Sequence, residues 1–452
     1  THIGEVSNEK GAFSIDVNNL SENDTIRFQY IGYTSFDASI KSLRNNSTIL
    51  LKEHIFNLNE AVIFAREPNI RSIIKKVLEN KDSNYRATTS KRQIFTRERY
   101  ISNFKEIKLN YKKSSIEQLD KDLIKMIEES IPKNTTSYTD FLGDIYTSAN
   151  QDDSIVYKID PIRAVSLKEK DIAELEQLEE MFENIFSNTN EEEYWKVKSG
   201  IFAQKLDIDH EEEKPEKDTI NKNEAKTSNF QRRTSYKFNF SSFKNKNEWE
   251  FLYHPGRYNF ELIGGTRVNG EDVYIIDFTP RSSGQFIGRV FISIVTSALV
   301  RADYSYAEGK VGRDFQLLGV GYTENEFTAS IYFEKKEDNY LLKYYSKKAG
   351  SDVSLDRNIA LLKKRKRFLF DRKLMELKIG VDMAVNSESS IELLIINEET
   401  IDQQNFYDFT QKEKMEIIYV DQFDDNLWKG YSIIAPTKQM KEYRKQKVDY
   451  NF

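Results

Sequence analysis

The sequence predicts an α+β protein that is mainly β, with its strands antiparallel. Three observations carry this. Aromatic residues make up 13% of the chain, with 25 Tyr and 29 Phe, a bias that suits antiparallel sheets. From Tyr236 onward, short runs of period-two alternation follow one another, and Asn269-Gly270 marks a two-residue hairpin between Tyr258–Gly264 and Val273–Phe278. Helical periodicity is concentrated between residues 66 and 206. Consecutive hairpins make an antiparallel meander, because parallel strands need long crossovers.

The elements are taken in chain order. Gly11 supplies the positive φ of a tight turn, and Ile26, Phe28 and Tyr30 alternate with Arg27 and Gln29 as in a half-buried strand. Phe13, Phe28 and Tyr30 are therefore expected in a core, with Gly32 at a bulge or bend. After Pro68, Ile70, Ile73, Ile74, Val77 and Leu78 share one helical face. Lys91 to Lys112 returns to alternation and reads as one or two strands. A second helix starts near Ser115, where Ser115-x-x-Gln118 forms a capping box, and stops before Pro132. Tyr138–Ala149 reads as a short helix. Ser166-x-x-Glu169 is a further capping box, opening a helix with Ile172, Leu175, Met181, Phe182 and Ile185 inward and a solvated acidic face outward. Residues 207–234, rich in Lys, Glu and Asn, read as a charged linker or mobile insertion. Further strands are expected at Phe286–Ile294, Leu299–Tyr306, Phe315–Tyr322, Phe327–Phe333, Tyr340–Tyr345, Leu374–Val385, Ile391–Ile396 and Met415–Val420, with Gly319-Val320-Gly321 at a bulge.

Composition narrows the classes. A chain of 452 residues holds two or three domains, and 38% apolar with 31% charged residues describes a soluble globular protein. No apolar run approaches the roughly 20 residues of a membrane-spanning helix. With 67 basic against 73 acidic residues, the net charge of −6 argues against binding nucleic acid through bulk charge. The absence of cysteine excludes disulfides, thiolate metal sites and cysteine nucleophiles. The alternating tail Val448-x-Tyr450-x-Phe452 has the look of a barrel's last strand, but the row Leu299, Arg301, Asp303, Ser305 suits water rather than lipid.

Two stretches carry family resemblances. Asn8-Glu9-Lys10-Gly11-Ala12-Phe13, then Phe28-Gln29-Tyr30-Ile31-Gly32-Tyr33, then Leu58-Asn59-Glu60-Ala61-Val62-Ile63, resemble the carboxypeptidase-regulatory-like β-sandwich of Bacteroidota envelope proteins. The resemblance covers about residues 3–65 and lacks the module's opening strands, so the chain is expected to continue before Thr1. Tyr258–Gly265, Val273–Pro280, Gly288–Ile294 and Leu299–Asp303 resemble the periplasmic lipoprotein carriers of the LolA/LolB type, although Ser293 stands where those often carry an acidic residue. The resemblances imply a β-sandwich over residues 1–65, a helix-rich segment with a few strands over 66–206, the linker over 207–234, and a large curved antiparallel half-barrel with capping helices over 235–452. They also imply a cell-envelope address at the outer membrane, on its periplasmic side.

Motifs for chemistry are weak. His2/Glu5 and His210/Glu213 have the spacing of half a zinc site, but each sits in an unsuitable context, and only His54 and His254 remain as further ligands. Asp207-x-Asp209 with Glu211 to Glu213 reads as a solvated charge run. No nucleophile elbow, Walker loop or dinucleotide fingerprint is present. The one strong cluster is Lys363, Lys364, Arg365, Lys366 and Arg367, followed by Arg372 and Lys373, with Phe368, Leu369 and Phe370 beside it. This is the candidate contact for an acidic partner or lipid headgroups. The expectation is a non-catalytic binding or scaffold subunit without cofactor or metal, partnered by an outer-membrane β-barrel or another envelope protein and not by nucleic acid. A lipid or lipoprotein carrier and an outer-membrane barrel are the alternatives.

Overall fold

The computed structural model describes residues 6–8, 11–13, 15, 17, 20–43, 48–55, 69–149, 154–168, 193–200, 202–206, 224–367 and 370–443. Its strands are β1 (Thr25–Phe28), β2 (Phe36–Ser39), β3 (Ser90–Ser114), β4 (Asn134–Ala149), β5 (Ile155–Lys168), β6 (Glu193–Ser199), β7 (Phe202–Leu206), β8 (Glu224–Lys226) and β9 (Tyr258–Val268). They continue with β10 (Glu271–Pro280), β11 (Phe286–Ser293), β12 (Leu299–Tyr306), β13 (Asp314–Leu317), β14 (Val320–Lys336), β15 (Asn339–Arg365), β16 (Arg372–Thr400), β17 (Lys414–Glu416) and β18 (Ile418–Val420).

One 14-stranded sheet runs in the order β18-β5-β4-β3-β16-β15-β14-β12-β11-β10-β9, with β13 attached to β14, β6 to β15 and β7 to β6. The α+β class, mainly β with helices laid on a large sheet, is as the sequence predicts. Among the described strand pairs, only β18 against β5 is parallel. The last strands, β9 and β18, are not bonded to each other. A membrane barrel must close so that no edge is left unpaired, so among the described residues the barrel alternative is not met.

The sheet is covered on both faces near its centre. Adjacent residues explain why: Ile94/Phe95, Phe141/Leu142 and Leu393/Leu394 are apolar pairs whose members point to opposite faces. On one face, Ile74 and Val77 of helix Ile70–Glu79, Phe230 and Phe238 of helix Thr227–Ser241, and Trp249, Phe251 and Leu252 join the sheet residues in the main core. On the other, Phe95, Leu142, Val165 and Leu394 meet Trp428, Ile434 and Met440 of the C-terminal segment. At the far end of the longest strands, Ile116, Leu119, Trp195 and Leu377 form a third, small core beside helix Lys121–Ser130.

Several expected elements change identity. Tyr138–Ala149 is not a short helix but lies in strand β4, because Phe141 and Leu142 each need a different buried face. Ser166 is no cap: it lies in β5, opposite Thr139. The cap of helix Lys121–Ser130 is Asp120, whose side chain accepts from the Leu123 amide at 2.8 Å, not Ser115. The strands expected at Leu374–Val385 and Ile391–Ile396 are one 29-residue strand. Its polar stretch Asn386 to Ser390 resembles a loop, yet it stays extended because Arg99–Asn103 and Lys348–Asp352 hydrogen-bond along both sides. Gly319 is no bulge but half of a two-residue hairpin: Leu318 and Gly319 have φ of 50° and 76° between the paired Leu317 and Val320. The Asn269-Gly270 turn is of the same kind, with φ of 48° and 84°.

The residues expected as a helix-rich segment, 66–206, supply β3 to β7 to the same sheet as β9 to β16, so the sheet runs across the expected linker. Within 207–234, Thr227 onward is helical, held by Phe230 and by Lys237 and Arg233 against Glu98. Residues 207–223, the inward residues of the helix expected after Ser166, and the barrel-like tail lie outside the described residues. Among the described part of residues 1–65, β1 pairs with β2 in a two-stranded hairpin. Phe13 and Tyr30, expected in a core, are 38% and 50% exposed. Phe28 is half-buried, with its ring 5.2 Å from that of Phe13. A two-stranded unit has no second layer to cover them; Tyr30 instead lies against the outer face of the main sheet, under the Arg301 guanidinium 4.2 Å from its ring.

Helix Thr227–Ser241 is docked electrostatically. Burial alone would push the Glu98 carboxyl up, but Lys237 and Arg233 outweigh it and hold it below the ordinary value of 4.5. A depressed carboxyl contributes stability that is present above its unfolded pKa and lost as pH falls through the folded one. Stability should therefore decline on acidification below about pH 4.5, and Glu98→Gln should flatten that part of the decline in urea unfolding at several pH values. An unchanged slope in the variant would remove this assignment.

Candidate functional site

The basic run lies at the end of β15, where it turns into β16. Period-two alternation divides the run between two faces. Lys363 and Arg365 turn toward Glu193 of β6: Lys363 Nζ is 3.1 Å from Oε2 and Arg365 Nε is 3.0 Å from Oε1. Lys363 is buried, its ammonium 6.0 Å from the Trp195 ring. Arg365 and Lys363 hold the Glu193 carboxyl below the ordinary carboxylate range. Two of the five candidate residues thus fasten β6 to β15. Lys364 is half-buried, and Lys366 and Arg367 are exposed, as are Arg372 and Lys373 on the returning strand.

A second fastening was not legible in the sequence. The Tyr194 hydroxyl donates to Asp371 Oδ2 at 2.5 Å. That bond, with burial and the carboxylate's charge, pushes the phenol up to about 12, while the same bond holds Asp371 low. Lys373 Nζ meets Glu376 Oε2 at 2.6 Å, and Lys113 meets the same oxygen at 2.7 Å. Behind these contacts stands the third core, so the end of the hairpin is mounted on packed structure. Phe370, between Arg367 and Arg372 in the chain, is 87% exposed. Among the described residues, the hairpin end thus carries Lys366, Arg367, Arg372, Lys373 and Phe370 in solvent on strands that are fastened behind it.

Elsewhere the strands bring together residues far apart in sequence. A cleft of about 260 Å³ is lined by Lys105, Asp352, Phe315, Tyr322, Val353 and Val385, among others. Asp352 accepts from Lys105 Nζ and Asn386 Nδ2, each at 3.2 Å, and from Asn325 Nδ2 at 2.5 Å. Burial opposes ionisation there, but the three donors prevail and hold Asp352 low. The carboxylate of the cleft is thus already engaged by protein donors. Of the candidate metal residues, His2, Glu5, His210 and Glu213, with Asp207, Asp209, Glu211 and Glu212, lie outside the described residues. Among the described residues no group of three His, Asp or Glu side chains is placed to hold a metal ion. No helix among them is long and apolar enough to cross a membrane.

The rows that would line an acyl-chain cavity are filled. Of the rows Val290, Ile292, Ile294 and Phe327, Ala329, Ile331, Phe333, the residues Val290, Ile292 and Ile331 are fully buried, Phe327, Ala329 and Phe333 nearly so and Ile294 partly, and all pack in the main core with Trp249, Phe251 and Leu252. Trp249 stacks on Phe243 at 4.9 Å and Phe251 on Phe278 at 4.4 Å. At the edge of this core, Lys347 lies 3.5 Å from the Phe240 ring and 3.2 Å from Glu248. Burial pushes the Glu248 carboxyl up and the Lys347 ammonium down.

No family model matches the sequence, and no curated protein matches it. Solved structures aligned with it include a domain described as a candidate outer membrane lipoprotein-sorting protein from Vibrio parahaemolyticus, at 9% identity over 75% of this chain and 97% of that one, with a TM-score of 0.20. The MucA/MucB complex of Pseudomonas aeruginosa aligns at 9% identity over 71% and 93%, also with a TM-score of 0.20. A LolA superfamily protein from Nitrosomonas europaea aligns at 7% identity over 75% and 97%, with a TM-score of 0.16. Superpositions of this quality do not establish a common fold.

Proposed function

We propose that this chain is a non-catalytic binding or scaffold protein of the cell envelope, which presents the β15–β16 hairpin to an acidic or anionic partner surface. The observation that carries this reading is the filled sheet face: Val290, Ile292 and Ile331 have no exposed surface and belong to one core with Trp249, Phe251 and Leu252. A carrier of acyl chains needs that face lined by a cavity of several hundred Å³, so the packing supports a scaffold over a carrier. The envelope address rests on the resemblance of residues 8–63 to an envelope module. An outer-membrane β-barrel or another envelope protein is the proposed partner, on the periplasmic side.

Purification of the intact chain from its native membranes tests this. The expected result is a stoichiometric envelope protein partner and no acyl chains on extraction into organic solvent. Ile331→Trp should then destabilise by overpacking, by about 1–3 kcal/mol in urea unfolding. A monomer that releases fatty acids at near-stoichiometric yield, and loses them in Ile331→Trp without loss of stability, would instead establish the carrier.

A further inference from the structure

We propose that the β15–β16 tip is a seat for an anionic lipid bilayer, with Lys364, Lys366, Arg367, Arg372 and Lys373 on the headgroup phosphates and Phe370 in the interfacial layer. This rests on the binding role proposed above and names the surface that the tip meets. Four observations support it.

The first is charge. Between residues 363 and 373 there are seven basic residues and one acidic, in a chain whose net charge is −6. Lys363 and Arg365 are taken up by Glu193 and Lys373 pairs with Glu376, yet Lys366, Arg367 and Arg372 stay exposed, Lys373 keeps an exposed ammonium and Lys364 is half-buried. A Lys or Arg held near an anionic membrane strengthens binding by about fivefold, within a Debye length of roughly 8–10 Å.

The second is Phe370. An aromatic side chain 87% in water, between Arg367 and Arg372 in the chain, gains from the bilayer interface what it lacks in the free protein.

The third is the mount. Glu193 bridges to Lys363 and Arg365, Tyr194 bonds Asp371, and Leu377 packs with Trp195, so the tip needs little ordering on contact.

The fourth is shape. β3 ends opposite Leu377, so residues 372–376 of β16 extend past it, while β6 stays beside β15 to Arg365. A narrow strand end that carries exposed cations fits a plane of headgroups. An acidic protein partner would gain more from a broad face or groove.

The test is co-sedimentation of the full chain with phosphatidylcholine vesicles, with and without phosphatidylglycerol. Binding is expected only with phosphatidylglycerol, and it should weaken as salt rises. The double variant Lys366→Gln/Arg367→Gln should weaken it about 25-fold, and Phe370→Ala by about tenfold, with the latter loss surviving in high salt. All three side chains are exposed, so the thermal melts of both variants should match that of the parent. Equal binding to both vesicle types, no binding, or full binding by the double variant would each overturn the bilayer seat. If vesicles fail but the double variant loses a stoichiometric protein partner from native membranes, the surface is an acidic protein, and the scaffold reading stands without the bilayer. If vesicles bind as expected but no partner protein co-purifies, the bilayer seat stands and the scaffold reading fails.

Discussion

Replacing Asp140 by alanine is expected to destabilise the protein by about 3–5 kcal/mol, the cost of stranding a buried charge. Asp140 has no exposed surface, and its partner Arg97 lies directly opposite on β3 with 4% of its side chain exposed. The pair is bidentate, with Nε to Oδ1 at 2.8 Å and Nη2 to Oδ2 at 2.7 Å. The remaining guanidinium nitrogen, Nη1, donates to the Ile434 carbonyl at 2.8 Å. Arg97 therefore joins two strands of the sheet to the C-terminal segment that covers its second face. Without Asp140 the guanidinium keeps that carbonyl, the Phe95 ring 5.3 Å away and the more distant charge of Glu392. The loss should have a place as well as a size. Hydrogen exchange should speed first in residues 428–440, where Trp428, Ile434 and Met440 close the second core, before the strands themselves open. A loss under about 1 kcal/mol would mean that the pair is solvated and the C-terminal layer loosely held.

Trp249→Ala carries a similar cost, about 3–5 kcal/mol, through a different mechanism. Trp249 is fully buried, stacked on Phe243 and within 6.1 Å of the Tyr304 ring centroid, and its indole N–H donates to the Ser242 carbonyl at 3.1 Å. It belongs to the same core as the apolar rows of β11 and β14, the face that a carrier would leave open for its cargo. Truncation should leave an apolar void that takes up a small probe such as benzene or xenon, as dry cavities lined by apolar side chains do. The parent protein should take up neither. A parent that already binds the probe, with Trp249→Ala costing little, would reverse the choice of scaffold over carrier.

How much of this was legible beforehand follows the reach of each interaction. The Asn269-Gly270 hairpin was readable because two adjacent residues fix it: both take positive φ, and that preference is local. The helix Ile70–Glu79 was readable because its buried Ile73, Ile74 and Val77 lie within one turn of each other. The helical reading of Tyr138–Ala149 failed because a strand buried on both faces loses its alternation. The polar centre of β16, residues 386–390, falls between two expected strands because its own residues carry no strand signal and the strands that bond to it on both sides are distant in sequence.

The candidate site divides in the same way. The sequence by itself determined the α+β class, the antiparallel meander and the concentration of cations at residues 363–373, since composition, periodicity and charge runs are properties of neighbours along the chain. Only the tertiary structure decided which of those cations remain available. Glu193 lies 172 positions from Arg365 and Tyr194 lies 177 from Asp371, yet each meets its partner across β6. The tertiary structure also decided that the apolar rows of β11 and β14 close into a dry core, because Trp249 and Phe251 reach them from a separate segment. Burial and ion pairing depend on which strands become neighbours, and that is settled by packing over the whole sheet.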